Sequence, residues 1–283
     1  MLRTSFALGI LLLLFAGSQL RADVASARLA MENPDNPLLA LITSTGVIYI
    51  EMLPAEAPSN VAHFIDLVEG EVAINDPVSG RNLSPRFFDG SYFHRVLPGF
   101  VIQAGSPVLH PLRGAGSPLP DEINATGLGL NLEPVMDELG RFNPRLNISD
   151  QQDLQKQILS PLYQRMNIDS AGELADRQGE VVSRLQEMTM QQAYETRGYR
   201  FRDNLSTRAI NRGTVALANS GPNLNGPEFF IALQDAPWLS GRHTVIGHVV
   251  EGMEIADRIG RAAVNPEEAP NNVTSIYAIR RVE

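Results

Sequence analysis

FHRVLPGFVIQAGSP, residues 93–107, sets Arg95 and Gln103 among apolar and aromatic side chains. The composition is that of a short β-type segment, since Val, Ile and Phe favour strands and Gly and Pro bound them. A strand buried on both faces has little use for a guanidinium and an amide, because burial of an unpaired polar group costs free energy. We therefore expect Arg95 and Gln103 to face something other than the hydrophobic core.

A second stretch, residues 213–252, has the same mixture: GTVALANSGPNLNGPEFFIALQDAPWLSGRHTVIGHVVEG. Its part ANSGPNLNG holds too much Asn, Gly and Pro for regular structure, which predicts a loop that presents main-chain groups. Apolar side chains with a few directional polar groups suit a groove that grips an extended peptide. Together the two stretches predict such a groove.

The remaining pattern favours a mainly β fold. PLLALITSTGVIYIEMLP, residues 37–54, has two apolar runs around a Ser-Thr-Gly turn and predicts a hairpin. Residues 57–70 predict one short helix with Ser59 as its cap and Gly70 as its stop. The last apolar run, VTSIYAIRRV, is expected to pair with the first hairpin. Many short strands with few helices predict a closed β-barrel with short flanking helices.

Residues 128–198 differ in character from the rest. They are rich in Gln, Glu, Leu and Met, and their apolar residues recur at helical spacing. We predict that they form a helical hairpin inserted into a β domain of residues 36–283, with Pro161 kinking or dividing the first helix. Such an insertion either packs on the barrel for stability or binds a client or partner. Three methionines would suit either role: Met166, Met188 and Met190.

The N-terminus resembles a secretory signal. Arg3 precedes the apolar run Phe6–Gly17, which is shorter than the roughly 20 residues that a membrane-spanning helix needs. We predict a signal peptide over residues 1–27, cleaved after Ala22 or Ala27, with no stable membrane insertion afterwards. An uncleaved anchor is the alternative. The signal together with the absence of cysteine suggests a bacterial periplasm or the exterior, with an organelle lumen as the other choice.

Composition excludes several classes of function. The net charge is −9 and the basic residues are scattered, so no nucleic-acid surface is expected. The sequence has no Gly-x-Ser-x-Gly elbow, no phosphate-cradling glycine loop and no His-Glu-x-x-His pair. The five histidines are dispersed. We therefore expect neither a metal nor a cofactor.

The two polar stretches together resemble the cyclophilin family of peptidyl-prolyl cis-trans isomerases. The family pattern Phe-His-Arg-x-x-Pro-Gly-Phe-x-x-Gln-x-Gly is present over residues 93–105. A second pattern consists of Ala218-Asn219, Gly221-Pro222-Asn223, Asn225-Gly226, Phe229-Phe230-Ile231, Trp238-Leu239, Gly241, His243, Gly247 and Glu251-Gly252. The resemblance covers about residues 37–127 and 199–283, and it leaves the insertion unexplained.

The resemblance implies an isomerase of X-Pro bonds that assists the folding of exported proteins and uses no cofactor. It places Arg95 as the catalytic residue, and Gln103 and Asn219 as the residues that hold the substrate backbone, with Ala218 beside them. The proline pocket and its rim would consist of Phe100, Val101, Phe230, Leu239, His243 and Trp238. Because side chains alternate along a strand, we expect the Phe229 side chain to point away from the pocket and into the core. We expect His94 to face away from the groove and assign it no catalytic role.

One departure from the family pattern affects the function. Glu228 stands where the family usually has glutamine, and an ionised carboxylate can only accept hydrogen bonds. We place Glu228 in the substrate site, where it would either orient Arg95 or tether it. If Glu228 and the altered loop before it, with Leu224 and Pro227, abolish turnover, the protein would be a non-catalytic peptide-binding or chaperone module with the same fold.

Overall fold

The computed structural model describes residues 22–112, 117–262 and 273–283. Within these ranges one eight-stranded antiparallel sheet dominates the fold, and a two-stranded ribbon lies apart from it. The strands of the large sheet are β1 (Leu38–Thr43), β2 (Gly46–Met52), β5 (Arg95–Leu97), β6 (Val101–Ala104), β7 (Thr214–Asn219), β8 (Asn225–Ala232), β9 (Val245–Glu251) and β10 (Ile276–Val282). The ribbon consists of β3 (Ile74–Asn75) and β4 (Asn82–Leu83).

The large sheet curls but does not close along its edge strands. Its strand order is β10-β1-β2-β9-β7-β8-β6-β5, so β10 and β5 are the edges. The chain just before β5 meets the chain just before β10: Phe93 N donates to Thr274 O at 3.1 Å, and Ile276 N donates to Ser91 O at 2.8 Å. The predicted pairing of the last strand with the first hairpin is confirmed. The closed barrel is confirmed only in part, as a curled sheet.

Strand alternation gives the sheet a core face and a second apolar face. Ile102, Phe229 and Ile231 pack in the main core. Phe64 meets Phe229 there, with the ring centroids 5.5 Å apart at 89°. The expectation that Phe229 lies in the core is confirmed. Phe230, its neighbour in sequence, belongs to a separate apolar cluster on the opposite face, and that face carries the predicted site.

Two helices cover the core face. They are α2 (Pro58–Glu69) and α8 (Met253–Arg261), and both contribute buried side chains to the main core. The predicted cap of α2 is wrong, because the helix begins two residues earlier than a cap at Ser59 requires and Ala57 is its N-cap. Instead, the buried Glu122 accepts hydrogen bonds from the backbone N–H groups of Ser59 and Asn60 at 3.1 and 2.9 Å. A distant carboxylate therefore supplies the cap that Ser59 was expected to provide.

Replacing Glu122 by alanine is expected to lower the free energy of unfolding by about 2–3 kcal/mol at pH 7, because buried N–H groups lose their acceptor. Burial raises the pKa of the Glu122 carboxyl, but hydrogen bonds from Asn60 and Ser59 outweigh burial, so the pKa in the folded state is below its ordinary value. A lowered folded-state pKa stabilises the protein above the unfolded-state pKa, about 4.3, and this stabilisation is lost as the pH falls through the folded-state pKa.

Thermal unfolding between pH 7 and pH 3 tests this role of Glu122. The gap in Tm between the wild type and Glu122→Ala should be largest at pH 7 and should narrow below about pH 4.5. Glu138→Ala removes an exposed carboxylate and serves as the matched control, with an expected change below about 0.5 kcal/mol. A difference in Tm between wild type and variant that stays constant down to pH 3 would show that the ionised Glu122 carboxylate does not stabilise the start of α2.

The region of residues 128–198 is helical, but it is more elaborate than a hairpin. Its helices are α3 (Gln151–Leu154), α4 (Ser160–Arg165), α5 (Ala171–Asp176), α6 (Gln178–Glu187) and α7 (Met190–Thr196), with a π-helical turn, Gln155–Leu159, between α3 and α4. The turn ends just before Pro161, which lacks an N–H, and the backbone stays helical through it, so a π-helical turn interrupts the first helix but does not divide it. The predicted kink at Pro161 stays a prediction.

These helices surround a hydrophobic cluster of their own. Tyr194 is fully buried in it, as is Met190, and Met188 is almost fully buried. Two of the three methionines considered for an adaptable surface are therefore core residues. The boundaries of the insertion and of the β domain remain predictions.

A short helix, α1 (Val24–Ala30), begins the described chain. Asp23 caps it by accepting a hydrogen bond from Ser26 N at 3.0 Å. Ala27 is fully buried in a small cluster with Leu38 and Tyr49. The apolar part of the predicted signal lies outside the described residues. Among those described, no helix is both long and apolar enough to cross a bilayer.

Candidate active site

Arg95 and Gln103 lie side by side on the face opposite the core. The register pairs Arg95 with Gln103 across β5 and β6, and Gln103 with Phe230 across β6 and β8. Arg95 Nη1 donates to Gln103 Oε1 at 3.0 Å. The Arg95 side chain is exposed, whereas Gln103 is half-buried. The two polar groups of the 93–107 segment therefore face an open surface next to Phe230.

An apolar cluster adjoins this polar pair. Val101 and Phe230 form its buried floor, and Phe100, Trp238 and Leu239 are only partly buried above it. The Phe100 and Trp238 rings lie with their centroids 5.8 Å apart, inclined at 30°. A short 3₁₀ helix, Pro237–Leu239, positions Trp238 and Leu239. The structure thus brings together all five apolar residues that the sequence predicts for the proline pocket.

His243 completes one wall of this cluster. Its ring meets Phe230 edge-on, with centroids 5.4 Å apart. Burial lowers the pKa of His243 to about 4, and the positive charge of Arg242 acts in the same direction. His243 is therefore neutral at pH 7. Its Nδ1 donates to Leu217 O at 3.0 Å, because a carbonyl oxygen can only accept.

Glu228 joins the polar pair through Gln103. Glu228 Oε1 accepts from Gln103 Nε2 and, at 2.9 Å, from His94 Nε2. The expectation that His94 faces away is therefore wrong: β5 begins at Arg95, so strand alternation does not govern the residue before it. His94, Gln103 and Glu228 form one hydrogen-bonded group, and Arg95 lies at its outer end.

The charge of Glu228 is maintained in this group. Burial raises the pKa of the Glu228 carboxyl, but hydrogen bonds from His94 and Gln103, together with the charge of Arg95, outweigh burial and hold the pKa below its ordinary value. In the described part of the chain Glu228 has a hydrogen bond with His94 and forms no ion pair with Arg95. Glu228 therefore acts on Arg95 through the Gln103 amide, which it orients, and not by a direct tether.

Replacing Glu228 by glutamine is expected to change kcat/KM for a proline peptide by less than about threefold at pH 7, because a glutamine oxygen still accepts from Gln103 Nε2. Glu228→Leu cannot accept, leaves Gln103 without its partner, and should lower kcat/KM by about tenfold. Steady-state isomerisation assays on both variants check this. An increase of tenfold or more in Glu228→Gln would show that the carboxylate restrains Arg95 after all.

The loop between β7 and β8 borders the same face. Asn219 Nδ2 donates to Arg242 O at 2.9 Å, so the amide nitrogen of this side chain holds the loop. Ala218, next to it, is half-buried against the apolar cluster. Both predicted residues therefore border the pocket, although their contact with a substrate stays a prediction.

Sequence reasoning missed a buried acid that fixes this loop. Asp121 Oδ2 accepts from Asn223 N at 2.7 Å, and Asp121 Oδ1 accepts from Asn225 Nδ2 at 3.0 Å. Burial raises the pKa of Asp121 despite these two bonds. Nothing in the local sequence separates Asp121 from the many surface acids of this chain. Its partners lie about a hundred residues away, so only the fold identifies it.

Comparison of the sequence with known proteins identifies one family. A family profile, "Cyclophilin type peptidyl-prolyl cis-trans isomerase/CLD", matches residues 38–281. The chain is 25% identical over 228 residues to peptidyl-prolyl cis-trans isomerase B of Streptomyces anulatus, covering 80% of this chain and 85% of that protein. It is 39% identical over 88 residues to peptidyl-prolyl cis-trans isomerase-like 1 of Aspergillus oryzae, covering 30% of this chain and 55% of that protein.

A solved structure of a Cryptosporidium parvum cyclophilin type peptidyl-prolyl cis-trans isomerase aligns with a TM-score of 0.49 and 16% identity, covering 88% of this chain and 98% of that chain. The aligned region spans about half the length of the Aspergillus relative. The family profile extends over most of the residues described, including both stretches that carry the site. This chain belongs to the cyclophilin-type peptidyl-prolyl cis-trans isomerase family.

Proposed function

We propose that this protein catalyses cis-trans isomerisation of X-Pro bonds in exported polypeptides and so assists their folding. One observation carries the proposal: the exposed guanidinium of Arg95, bound to Gln103, lies beside an apolar cluster that is open to solvent. A proline residue combines an apolar ring with a polar amide. The site offers a partner for each part.

The chemistry requires no nucleophile. Resonance gives the C–N bond of an X-Pro amide partial double-bond character, with a rotation barrier of about 18–20 kcal/mol. In the twisted transition state this resonance is lost and the prolyl nitrogen regains a lone pair. A catalyst therefore has to bind the twisted state more tightly than either planar isomer.

Each group of the site has a part in that task. The proline ring packs on Phe100, Phe230 and Leu239, while the Arg95 guanidinium donates to the prolyl nitrogen as its lone pair forms. Arginine suits this role because it stays charged and its donors are rigid. Gln103 and the main chain at Asn219 hold the backbone on one side of the bond, so that the other side rotates.

The rate acceleration that this function requires is within reach of such a site. Uncatalysed isomerisation takes roughly 10–100 s, and millisecond exchange requires the barrier to fall by about 6 kcal/mol, at about 1.4 kcal/mol per tenfold. A charge-assisted hydrogen bond in a partly desolvated site, together with the fixed orientation of the bond, supplies stabilisation of this order.

Refolding of a denatured protein with a proline-limited slow phase tests the proposal. The protein, at a concentration well below that of the substrate, should shorten the slow phase from tens of seconds towards the mixing time. Bovine serum albumin at the same concentration is the control for non-specific binding. A slow phase that is unchanged at every concentration of the protein would overturn the enzymatic role.

The alternative, a non-catalytic binding module, has less support. It depended in part on Glu228 tethering Arg95, and the partner of Arg95 is the neutral amide of Gln103. Met188 and Met190 of the insertion are buried, so these two side chains do not form a client surface.

For the location, we propose export to the periplasm with cleavage after Ala22. Cleavage after Ala27 would remove Asp23, the cap of α1, and Ala27, which fills a fully buried position. Cleavage after Ala22 retains both. N-terminal sequencing of the protein from an osmotic-shock fraction should find Asp23 first. A chain that begins after Ala27, or one that is retained in the membrane fraction with residue 1 intact, would contradict the proposal.

A further inference from the structure

A cavity of about 380 Å³ lies where the helical region meets the β7–β8 loop. It opens to solvent and shares Asn219 and His243 with the candidate active site. Its other lining residues are Arg197, Tyr199, Ser220, Gly221, Pro222 and Arg242. The cavity therefore combines Arg197 of the insertion, Tyr199 just after it, a loop of the β domain, and one wall of the proline pocket.

Arg197, at the C-terminal end of α7, lines this cavity, and one of its guanidinium nitrogens has no hydrogen-bond partner among the described residues. Its guanidinium carbon lies 5.8 Å from the centroid of the Tyr194 ring and 5.9 Å from that of Tyr199. These two rings hold the cation in place. Among the described residues, however, Arg197 Nη1 is buried and has no hydrogen-bond partner.

Arg242 provides a second cation in the same cavity. Its Nε is also buried without a hydrogen-bond partner among the residues described. Within the same part of the chain neither Arg197 nor Arg242 forms an ion pair, although the chain has a net charge of −9 and eight other arginines do. Two neighbouring guanidinium groups therefore lack an anion.

The positive charges of Arg197 and Arg242 repel each other. Burial lowers the pKa of the Arg197 guanidinium, and the charge of Arg242 lowers it further. Asp153 acts in the opposite direction, but its carboxylate is engaged by Gln157 and by Ser149 N. Unpaired buried donors and neighbouring like charges cost free energy, and an anion in the cavity offsets the repulsion between the two guanidinium groups. Both guanidinium groups have the planar donor geometry that binds a carboxylate or a phosphate.

We propose that Arg197 and Arg242 form an acidic-residue subsite, which binds an Asp or Glu side chain of the substrate close to its prolyl bond. The proposal rests on the isomerase function proposed above. His243 connects the two sites, because it packs on Phe230 of the proline pocket and lines the cavity next to Arg242. A chain whose proline occupies the pocket can therefore place a neighbouring side chain in the cavity.

Peptide binding to the wild type tests the subsite. Trp238 is the only tryptophan of the chain and lies at the pocket, so its fluorescence reports binding independently of turnover. A peptide with one Ala-Pro bond is varied by placing Asp, or Asn as the matched neutral residue, at each of the three positions on either side of the proline. At one position at least, the Asp peptide should bind about tenfold more tightly than its Asn counterpart, and 50 mM phosphate should abolish the preference.

Arginine variants assign the preference to the cavity. Arg197→Gln and Arg242→Gln should each remove most of the tenfold preference, while affinity for the Asn peptides stays within about twofold. Arg200→Gln removes an exposed arginine outside the cavity and should leave the preference unchanged. Circular dichroism establishes that each variant is folded. If either fails to fold, phosphate competition on the wild type decides the question.

Three outcomes would overturn the subsite. Equal affinity for Asp and Asn peptides at every position is the first, and a preference that persists in both variants is the second. The third is phosphate binding without any preference among peptides, which would make the cavity a site for free anions. Isomerisation of the Asn peptides, measured in the same samples, reports the proposed function separately. Its loss would reject the enzyme, whereas its presence without an Asp preference would reject only the subsite.

Discussion

Arg95→Ala is expected to lower kcat/KM for a short Ala-Pro-Phe peptide by about 100-fold, equivalent to about 2.7 kcal/mol of transition-state stabilisation. The lost group is the donor to the prolyl nitrogen, an interaction that strengthens only as the amide twists. Since it acts mainly in the transition state, kcat should fall much more than KM rises. Arg95 is exposed and its side chain bonds only to Gln103 among the described residues, so Tm should change by less than about 2 °C.

Two further variants make this result specific to Arg95. Arg86→Ala removes another exposed arginine and should leave kcat/KM within about twofold of the wild type. Arg95→Lys retains the charge but loses the planar donor group, and it should recover only part of the rate. Equal rates for the wild type and Arg95→Ala would remove the catalytic role from this residue.

Tyr194→Ala should have the largest effect on stability, lowering the free energy of unfolding by about 3–5 kcal/mol and Tm by about 10 °C. Tyr194 is fully buried and belongs to the cluster inside the helical region. It also packs against the β domain: a Cβ atom at Gly241 would lie 3.1 Å from the Tyr194 ring and 2.5 Å from Leu130 Cδ1. The cavity left by the variant would therefore open between the insertion and the chain that carries His243.

Tyr277→Ala is the matched control, because Tyr277 is 60% exposed and its truncation should change stability by less than about 0.5 kcal/mol. Thermal and urea unfolding monitored by circular dichroism give both values. If the two tyrosine variants lost the same small amount of stability, the contact of Tyr194 with the chain at Gly241 would not stabilise the protein. In that case deletion of residues 131–197 should be tolerated, whereas the packing at Gly241 predicts that the deletion destabilises the pocket.

Local patterns in the sequence were sufficient to predict much of the fold. Alternation of apolar residues along β8 separated Phe229, in the core, from Phe230, in the pocket, and the structure places them on opposite faces. The proline in the first inserted helix pointed to an irregularity there, and a π-helical turn precedes it. These features depend on residues within a few positions of one another, so periodicity and turn residues carry the information.

Contacts between distant residues could not be predicted in the same way. His94 and Glu228 are 134 positions apart, and their hydrogen bond depends on how the chain enters β5. Glu122 caps α2 from 62 positions away. For the insertion, helical spacing predicted the helices, but it did not predict that they pack together with Leu130 and Tyr199 in one hydrophobic cluster. Composition and spacing do not specify such contacts, because the contacts form only when the sheet curls and its loops come together.

The central claim is that the groove catalyses rotation of a bound prolyl bond and does not merely bind it. The most direct test measures both properties in one sample, with Trp238 fluorescence giving the affinity and NMR exchange spectroscopy giving the cis-trans exchange rate of the same Ala-Pro peptide. We predict binding together with exchange that is accelerated from roughly 10–100 s to the millisecond range, and loss of the acceleration with retained binding in Arg95→Ala. Binding by the wild type with exchange at the uncatalysed rate would contradict the account.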